Sequence, residues 1–548
     1  MALDLAKKIE NIALELTSQF SVLDTKDEVI MAEKVYTMLS NIKYFQDHPE
    51  NLYYVDVTGD TLGRKSVIAL LEGMRDDSNK TVITIGHMDT VGISDYGPLA
   101  PYANQPLVLA EKLKEIDLPE DVRRDLASGD YLFGRGIFDM KSGDAILMAL
   151  LEKISEDIEN LSGNIIFGAV CDEEGNSGGM LNLVNELCRL QEERHYEYLA
   201  LLDTDYMTEE YTGDENKYIY IGTVGKLMPT FYIVGKETHV GESFKGIDPN
   251  MIAAEITRRI DLNPEFCDVV EGEVTLPPVS LKQRDLKSEY SVQIAKTACV
   301  FFNYATHSST PDQVLEKMVR VGQECFTSVV ETLNQRYEHF CRLANRPHTT
   351  LPWTPRTMTY QELCKVVREE VGESFDTLVQ TYAQELMKEE NIDARDRNTR
   401  IVEYIHNLWS DKDPVVIVYF SQPYYPHIYV EGSDAREKAL LEAVEQAIQT
   451  TKTDYKIISK KFFPYISDLS YGAAPKEEGI IEAFMDNMPG YGIVYNLPMK
   501  QMQHLDLPVL DIGCFGKDAH KFTERVEKKY SYEAAPELVY KTIMGLLK

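Results

Sequence analysis

The chain has 548 residues, with 89 acidic against 56 basic side chains and a formal net charge of −33. That length exceeds what one core fills, so two or more domains are expected. The charge has the sign that nucleic acid and anionic membranes repel, and no apolar run nears the ~20 residues of a membrane helix. Eight scattered cysteines without a Cys-x-x-Cys pair read as reduced core residues, which points to the cytoplasm.

Met1 to Phe20 alternates Leu and Ile with Lys and Glu at helical spacing and reads as an amphipathic helix. Leu52 to Val57 and Val67 to Leu71 read as strands, and Thr81 to Gly86 (TVITIG) as a strand buried on both faces. A helix over Ser142 to Ile154, a buried strand over Asn164 to Val170 (NIIFGAV), a helix near Met180 to Leu190 and a strand end at Leu199 to Leu202 come next. This alternation predicts an α/β fold with a mostly parallel central sheet flanked by helices. After about Gly225 the pattern changes. Leu227 to Val234 reads as a strand, Asn250 to Ile260 as a helix, and Ser291 to Tyr304 as one long or two short strands. Helix-rich stretches cover Gln313 to Ala344, Tyr360 to Lys388 and Arg400 to Trp409. Val415 to Phe420 (VVIVYF) then reads as the return of the first sheet, continued by a helix over Ala435 to Thr450 and a strand over Leu507 to Ile512. The expected organisation is a catalytic domain over residues 1–224 and 413–548, interrupted by an inserted α+β domain over 225–412 with extra helices.

Four clusters sit at the carboxyl ends of these strands, where open α/β sheets hold their sites. His87-Met88-Asp89 closes TVITIG. Residues two apart in an extended segment point the same way, so Asp89 can orient the His87 imidazole while His87 binds a cation. In GRGIFDMKSG, residues 134–143, the glycines let the backbone bend and present Asp139, whose two oxygens can bridge two cations. Cys171-Asp172-Glu173-Glu174-Gly175 comes directly after NIIFGAV. One of its glutamates can bind metal while the other accepts the proton of a water whose pKa the metal brings towards ~7. Asp203 and Asp205 come after the strand LALL, and Asp203, nearer the strand, is the better ligand candidate. The last cluster runs from Asp511 through two glycines to His520. Singly, each cluster fits an ordinary turn or a surface acidic pair. Together they give two histidines and three or four carboxylates, a mixed N/O set suited to two zinc or similar ions.

HMDTV, GRGIFDMKSG, DEEG, LLDTD and GKDAHKFTE resemble, in order and spacing, the metallopeptidase family of glutamate carboxypeptidases, aminoacylases and succinyl-diaminopimelate desuccinylase. The resemblance implies His87 and Asp203 on one metal, Glu174 and His520 on the other, and Asp139 between them. Asp89 would orient His87, Glu173 would be the general base, and the Asp139-Met140 peptide would be cis. It implies two divalent ions, zinc first with manganese or cobalt as alternatives. The implied reaction is hydrolysis of an amide in a small N-acyl amino acid or short peptide.

The same resemblance makes the insert a lid- or dimerisation-type domain. In it Thr238-His239-Val240-Gly241 would supply a histidine that donates to the oxyanion, often from the partner subunit of a homodimer. Two features depart from the family: Asn250 lies two residues beyond the usual asparagine, and the insert is longer than usual. Two rivals stand beside this reading, a non-catalytic binding or regulatory protein on the same scaffold and an aminopeptidase. His307, His427 and His504 read as surface or supporting residues and the aromatic run Pro423 to Pro426 as packing, while Asp468 falls where the resembled family has an aspartate near the site.

Overall fold

A computed structural model of the chain describes residues 4–389, 392–477 and 479–548. The chain forms two compact units. The first comprises Met1–Thr223, Ile428–Ala474 and Pro498–Lys548, and the second Val224–His427 with Pro475–Leu497. The second unit thus runs past residue 412 and takes back a later segment.

In the first unit the described residues form an eight-stranded sheet. Its order is Leu52–Asp56, Lys65–Glu72, Asn164–Val170, Lys80–His87, Glu197–Asp203, Val509–Asp511, Lys217–Tyr220 and Ile457–Lys460. The four strands from Asn164–Val170 to Val509–Asp511 run parallel. Their carboxyl ends therefore share one edge, which brings His87, Cys171 to Gly175, Asp203 and Asp511 to the same side. Every residue of Asn164–Val170 is buried, as an apolar β-branched run requires when helices cover both faces. Helices Ala6–Thr17 and Ser142–Ser155 pack on each other, as do Ala435–Thr450 and Ala535–Leu546. The amphipathic N-terminal helix is described from Ala6, and residues 1–3 of its expected span lie outside the described residues.

A small antiparallel sheet matters more for the site than its size suggests. Tyr131–Phe133 pairs with Arg525–Glu527, with Phe133 opposite Arg525. Six residues after Phe133 comes Asp139, and five before Arg525 comes His520, so this pairing sets two distant stretches side by side.

The second unit has a sheet in the order Val279–Asp285, Thr297–Thr306, Pro229–Val234, Val415–Phe420 and Thr357–Thr359. VVIVYF thus belongs here and pairs antiparallel with Pro229–Val234. Helices Pro249–Ile260 and Pro311–Leu343 cover one face, where Phe231 and Val416 approach Gly322. The extra helices cover the other: Tyr232, Val234, Ile417 and Tyr419 share a core with Leu363, Val367, Ile401 and Ile405. Alternate residues of a strand face opposite sides, so a sheet between two helical layers needs apolar residues at every position. PTFYIV and VVIVYF meet that need. The helix-rich stretch from Tyr360 is divided at Gly372 (φ +77°) into Tyr360–Val371 and Phe375–Leu386. Among the described residues no helix is long and apolar enough to cross a membrane.

Candidate metal centre

Beyond the shared strand edge, two side-chain groups have ligand atoms within 4.8 Å of one another: His87, Asp139 and Asp205, and Asp139, Glu174 and His520. Asp139 belongs to both. Its Oδ1 lies 3.0 Å from His87 Nε2 and its Oδ2 3.0 Å from His520 Nε2, so each carboxylate oxygen faces one imidazole. His520 Nε2 is also 3.0 Å from Glu174 Oε1. Glu173 Oε2 stands 4.0 Å from His87 Nε2, on the same gap. The Asp139–Met140 peptide is cis.

Asp139 and His520 are each positioned through the backbone of their own segment. Glu524 accepts from the N–H groups of Phe138 (3.2 Å) and Asp139 (3.4 Å), and Arg135 donates to it at 2.6 Å. His520 is in the left-handed region (φ +65°), in a turn fixed by Asp518, which accepts from Lys521, Thr523 and the buried Arg525. Arg525 is in turn tied to Asp125 at 2.9 Å.

The electrostatics ask for positive charge. Burial pushes Glu173 and Asp205 well above the usual carboxylate range, and neighbouring carboxylates, Asp468 and Glu174 for the first and Asp139 and Asp203 for the second, push the same way. Burial raises Asp203 to about 6 and Asp468 to about 8. Burial opposes charge on both histidines, yet hydrogen bonding to Asp139 overrides it, raising His87 well above its ordinary value and His520 to about 10. Buried carboxylates that repel one another are relieved by cations at their centre. Two imidazoles with carboxylates in pairs suit zinc, manganese or a similar divalent ion, so the residues fit a metal pair.

The sequence profile of peptidase family M20/M25/M40 matches residues 114–543. The chain belongs to that family. It is a metallohydrolase by that membership. Protein RocB of Bacillus subtilis (strain 168) is 35% identical over 545 residues, covering 99% of this chain and 95% of that protein. Protein YqjN of the same organism, uncharacterized, is 34% identical over 550 residues, covering 99% of this chain and 97% of its own length. A succinyl-diaminopimelate desuccinylase of Wolinella succinogenes matches over 173 residues at 29% identity, 30% of this chain and 45% of that enzyme. Among solved structures, aminopeptidase PepT from Bacillus cereus superposes with a TM-score of 0.52 at 14% identity, covering 99% of each chain. Bacillus subtilis YxeP, described as a dinuclear metal binding peptidase from the M20 family, gives 0.50 at 12%, covering 98% of each. At such identities these two likenesses speak to the fold.

Within the M20 framework, two expectations from sequence meet a different geometry. Asp205, not Asp203, lies with His87 and Asp139. The register explains it: Ile85 pairs with Asp203, so His87, two residues on, stands level with Asp205. Asp203 is still inside the ladder, and its carboxylate accepts from Thr204 N–H (2.8 Å) and Ser467 Oγ (3.0 Å). The candidate ligand atoms thus gather past the end of the Glu197–Asp203 strand. The second difference concerns Asp89. His87 Nδ1 is 3.1 Å from the Asp89 backbone carbonyl and 3.8 Å from its carboxylate. The strand stops at His87, so the alternation that would align the two side chains no longer holds. The carboxylate instead accepts from the N–H groups of Glu173 (3.1 Å) and Glu174 (3.0 Å). His239 is an exposed loop residue of the second unit, its Nδ1 accepting from Gly241 N–H at 3.0 Å.

Proposed function

We propose that the chain hydrolyses the amide bond of a small N-acyl amino acid or short peptide, with two divalent cations, zinc first, held between His87, Asp139 and Asp205 and between Asp139, Glu174 and His520. The observation that carries this reading is Asp139, whose two oxygens each face one imidazole at 3.0 Å while Glu173, a further carboxylate, faces the same gap. When bound, such cations supply Lewis acidity and make a neighbouring water acidic enough to lose its proton near neutral pH. Glu173, whose carboxylate faces the gap, accepts that proton and returns it to the leaving amine. Asp89 holds the Glu173 backbone, which keeps the carboxylate aimed at the gap. His520 is the more exposed of the two imidazoles and lies on the open side from which a substrate enters.

The near full-length likeness to RocB supports a substrate connected with arginine catabolism. Donation by His239 to the oxyanion, location in the cytoplasm and assembly as a homodimer through the second unit complete the proposal. The last is supported by the edge strand Val279–Asp285, which leaves Val279 and Leu281 exposed, as Leu262, Val269 and Leu276 of the same unit also are. The test is a screen of N-acylated amino acids, including arginine and ornithine derivatives, with zinc, manganese or cobalt added, on the parent and on Glu173→Ala. Bound metal with turnover lowered ~10²–10⁴-fold in the variant supports catalysis. Equal behaviour of the two proteins would favour a binding or regulatory role.

A further inference from the structure

The loop carrying Glu173 and Glu174 is held by the Asp89 carboxylate and, one residue earlier at Asp172, by a buried ion cluster. Asp172, in the left-handed region at φ +66°, ends the Asn164–Val170 strand. Its carbonyl accepts from the N–H groups of Gly175, Asn176 and Ser177, at 3.3, 3.2 and 2.6 Å. Its Oδ2 accepts from Gly178 N–H at 3.0 Å, where the helix Gly178–Arg194 begins. Its Oδ1 accepts from Arg64 Nη1 at 2.6 Å, and its own N–H donates to Glu28 Oε2 at 3.1 Å. Arg64 is itself immobilised by Asp60, which accepts from its N–H, Nε and Nη2 at 2.7, 3.0 and 2.9 Å. Arg64 is 8% exposed, Glu28 1% and Asp172 2%.

A buried ion cluster of this kind is a poor device for stability alone, because desolvating the charges offsets most of their attraction. What it does supply is a fixed position. We infer that Arg64, with Glu28, is a positioning residue for one half of the metal centre. Held through Asp172, the loop sets Glu174 for the cation between Asp139, Glu174 and His520. The other group draws His87 and Asp205 from beyond two different strands, and among the described residues neither is hydrogen-bonded to Arg64. Loosening Arg64 therefore weakens one cation and spares the other. This inference rests on the two-cation reading above.

The test is a zinc titration of the metal-stripped full-length protein against a chromophoric chelator, comparing the parent with Arg64→Met and Arg64→Lys. The parent is expected to hold two ions. Arg64→Met should bind one of them ~10–100-fold more weakly, the usual size of an effect transmitted through a ligand's supporting partner, and the other with parental affinity. Arg64→Lys, which keeps the charge but not the forked geometry, should fall between. Should Arg64→Met not fold, Glu28→Gln carries the test. It sets an amide donor against the N–H of Asp24 or of Asp172, and the same single-ion weakening is expected. A folded variant binding both ions like the parent, or losing both equally, overturns the inference. A parent that holds fewer than two ions overturns it together with the reading beneath it.

Discussion

His87 and His406 are both buried histidines, and their surroundings could hardly differ more. His87, 3% exposed in the first unit, faces Asp139 and Glu173, and these carboxylates raise its pKa against the effect of burial. His406, fully buried in the second unit, lies 6.2 Å from each of the rings of Tyr232 and Trp409. Neither of its ring nitrogens has a hydrogen-bond partner among the described residues, and burial lowers its pKa to about 4. One imidazole sits where negative charge is concentrated, the other where no hydrogen-bond partner answers it among the described residues. The first arrangement is what a cation site needs, and the second is a core residue carrying an unmet polar cost. Burial alone therefore says nothing about function; the partners decide.

The comparison breaks most directly at the carboxylates around His87. Asp205→Asn should cost one cation more than the ~100-fold that marks the upper end for supporting residues, whereas Asp203→Asn should stay within ~10–100-fold. Metal titration of the two variants checks this. A larger loss for Asp203→Asn would return the ligand role to the residue inside the strand ladder. Next in size is His239→Asn, expected to lower kcat ~10²–10³-fold with metal content unchanged, as removal of an oxyanion donor does. Steady-state kinetics on a substrate found in the screen measure it, and an unchanged kcat would leave His239 as a surface histidine.

Much of this site was legible because the strands that carry it are buried on both faces. TVITIG and NIIFGAV stand out as apolar runs, and the segment after each is short, polar and aimed past the sheet edge. The choice between Asp203 and Asp205 was not legible, since it turns on register with the neighbouring strand. A two-residue step is invisible until Ile85 is seen opposite Asp203. VVIVYF shows the same limit from another side. An apolar run reports two covered faces and not which sheet it joins, so it read as the return of the first sheet while it pairs with Pro229–Val234. The edge strand Val279–Asp285 escaped altogether because its apolar residues Val279 and Leu281 are exposed and Lys282 to Asp285 carry no apolar alternation. Arg64 and Glu28 gave no signal either: they lie 108 and 144 residues from Asp172, and a lone charged residue has no spacing to read.

The smallest expected effect tests the other half of the comparison. In the unfolded chain His406 takes up a proton near its ordinary ~6.5, and in the folded second unit only near about 4. Between those values the unfolded chain binds more protons, so the folded state loses stability as the pH falls from ~6.5 to ~4 and this residue takes nothing further below that. The contribution is at most about 3 kcal/mol, set by the size of the shift. Lys412, Lys296 and Arg356 add to the depression and Asp411 opposes it, so their variants should move the window without removing it. His406→Leu should flatten this part of the acid limb, and near pH 7 it should stabilise the unit by ~1 kcal/mol or more, because an apolar side chain leaves no unmet hydrogen bond. Urea unfolding followed by tryptophan emission reads this unit alone, since both tryptophans, Trp353 and Trp409, lie in it. An acid limb equally steep in the variant would assign the sensitivity to other groups. His406 would then be as indifferent to charge as the apolar residues around it.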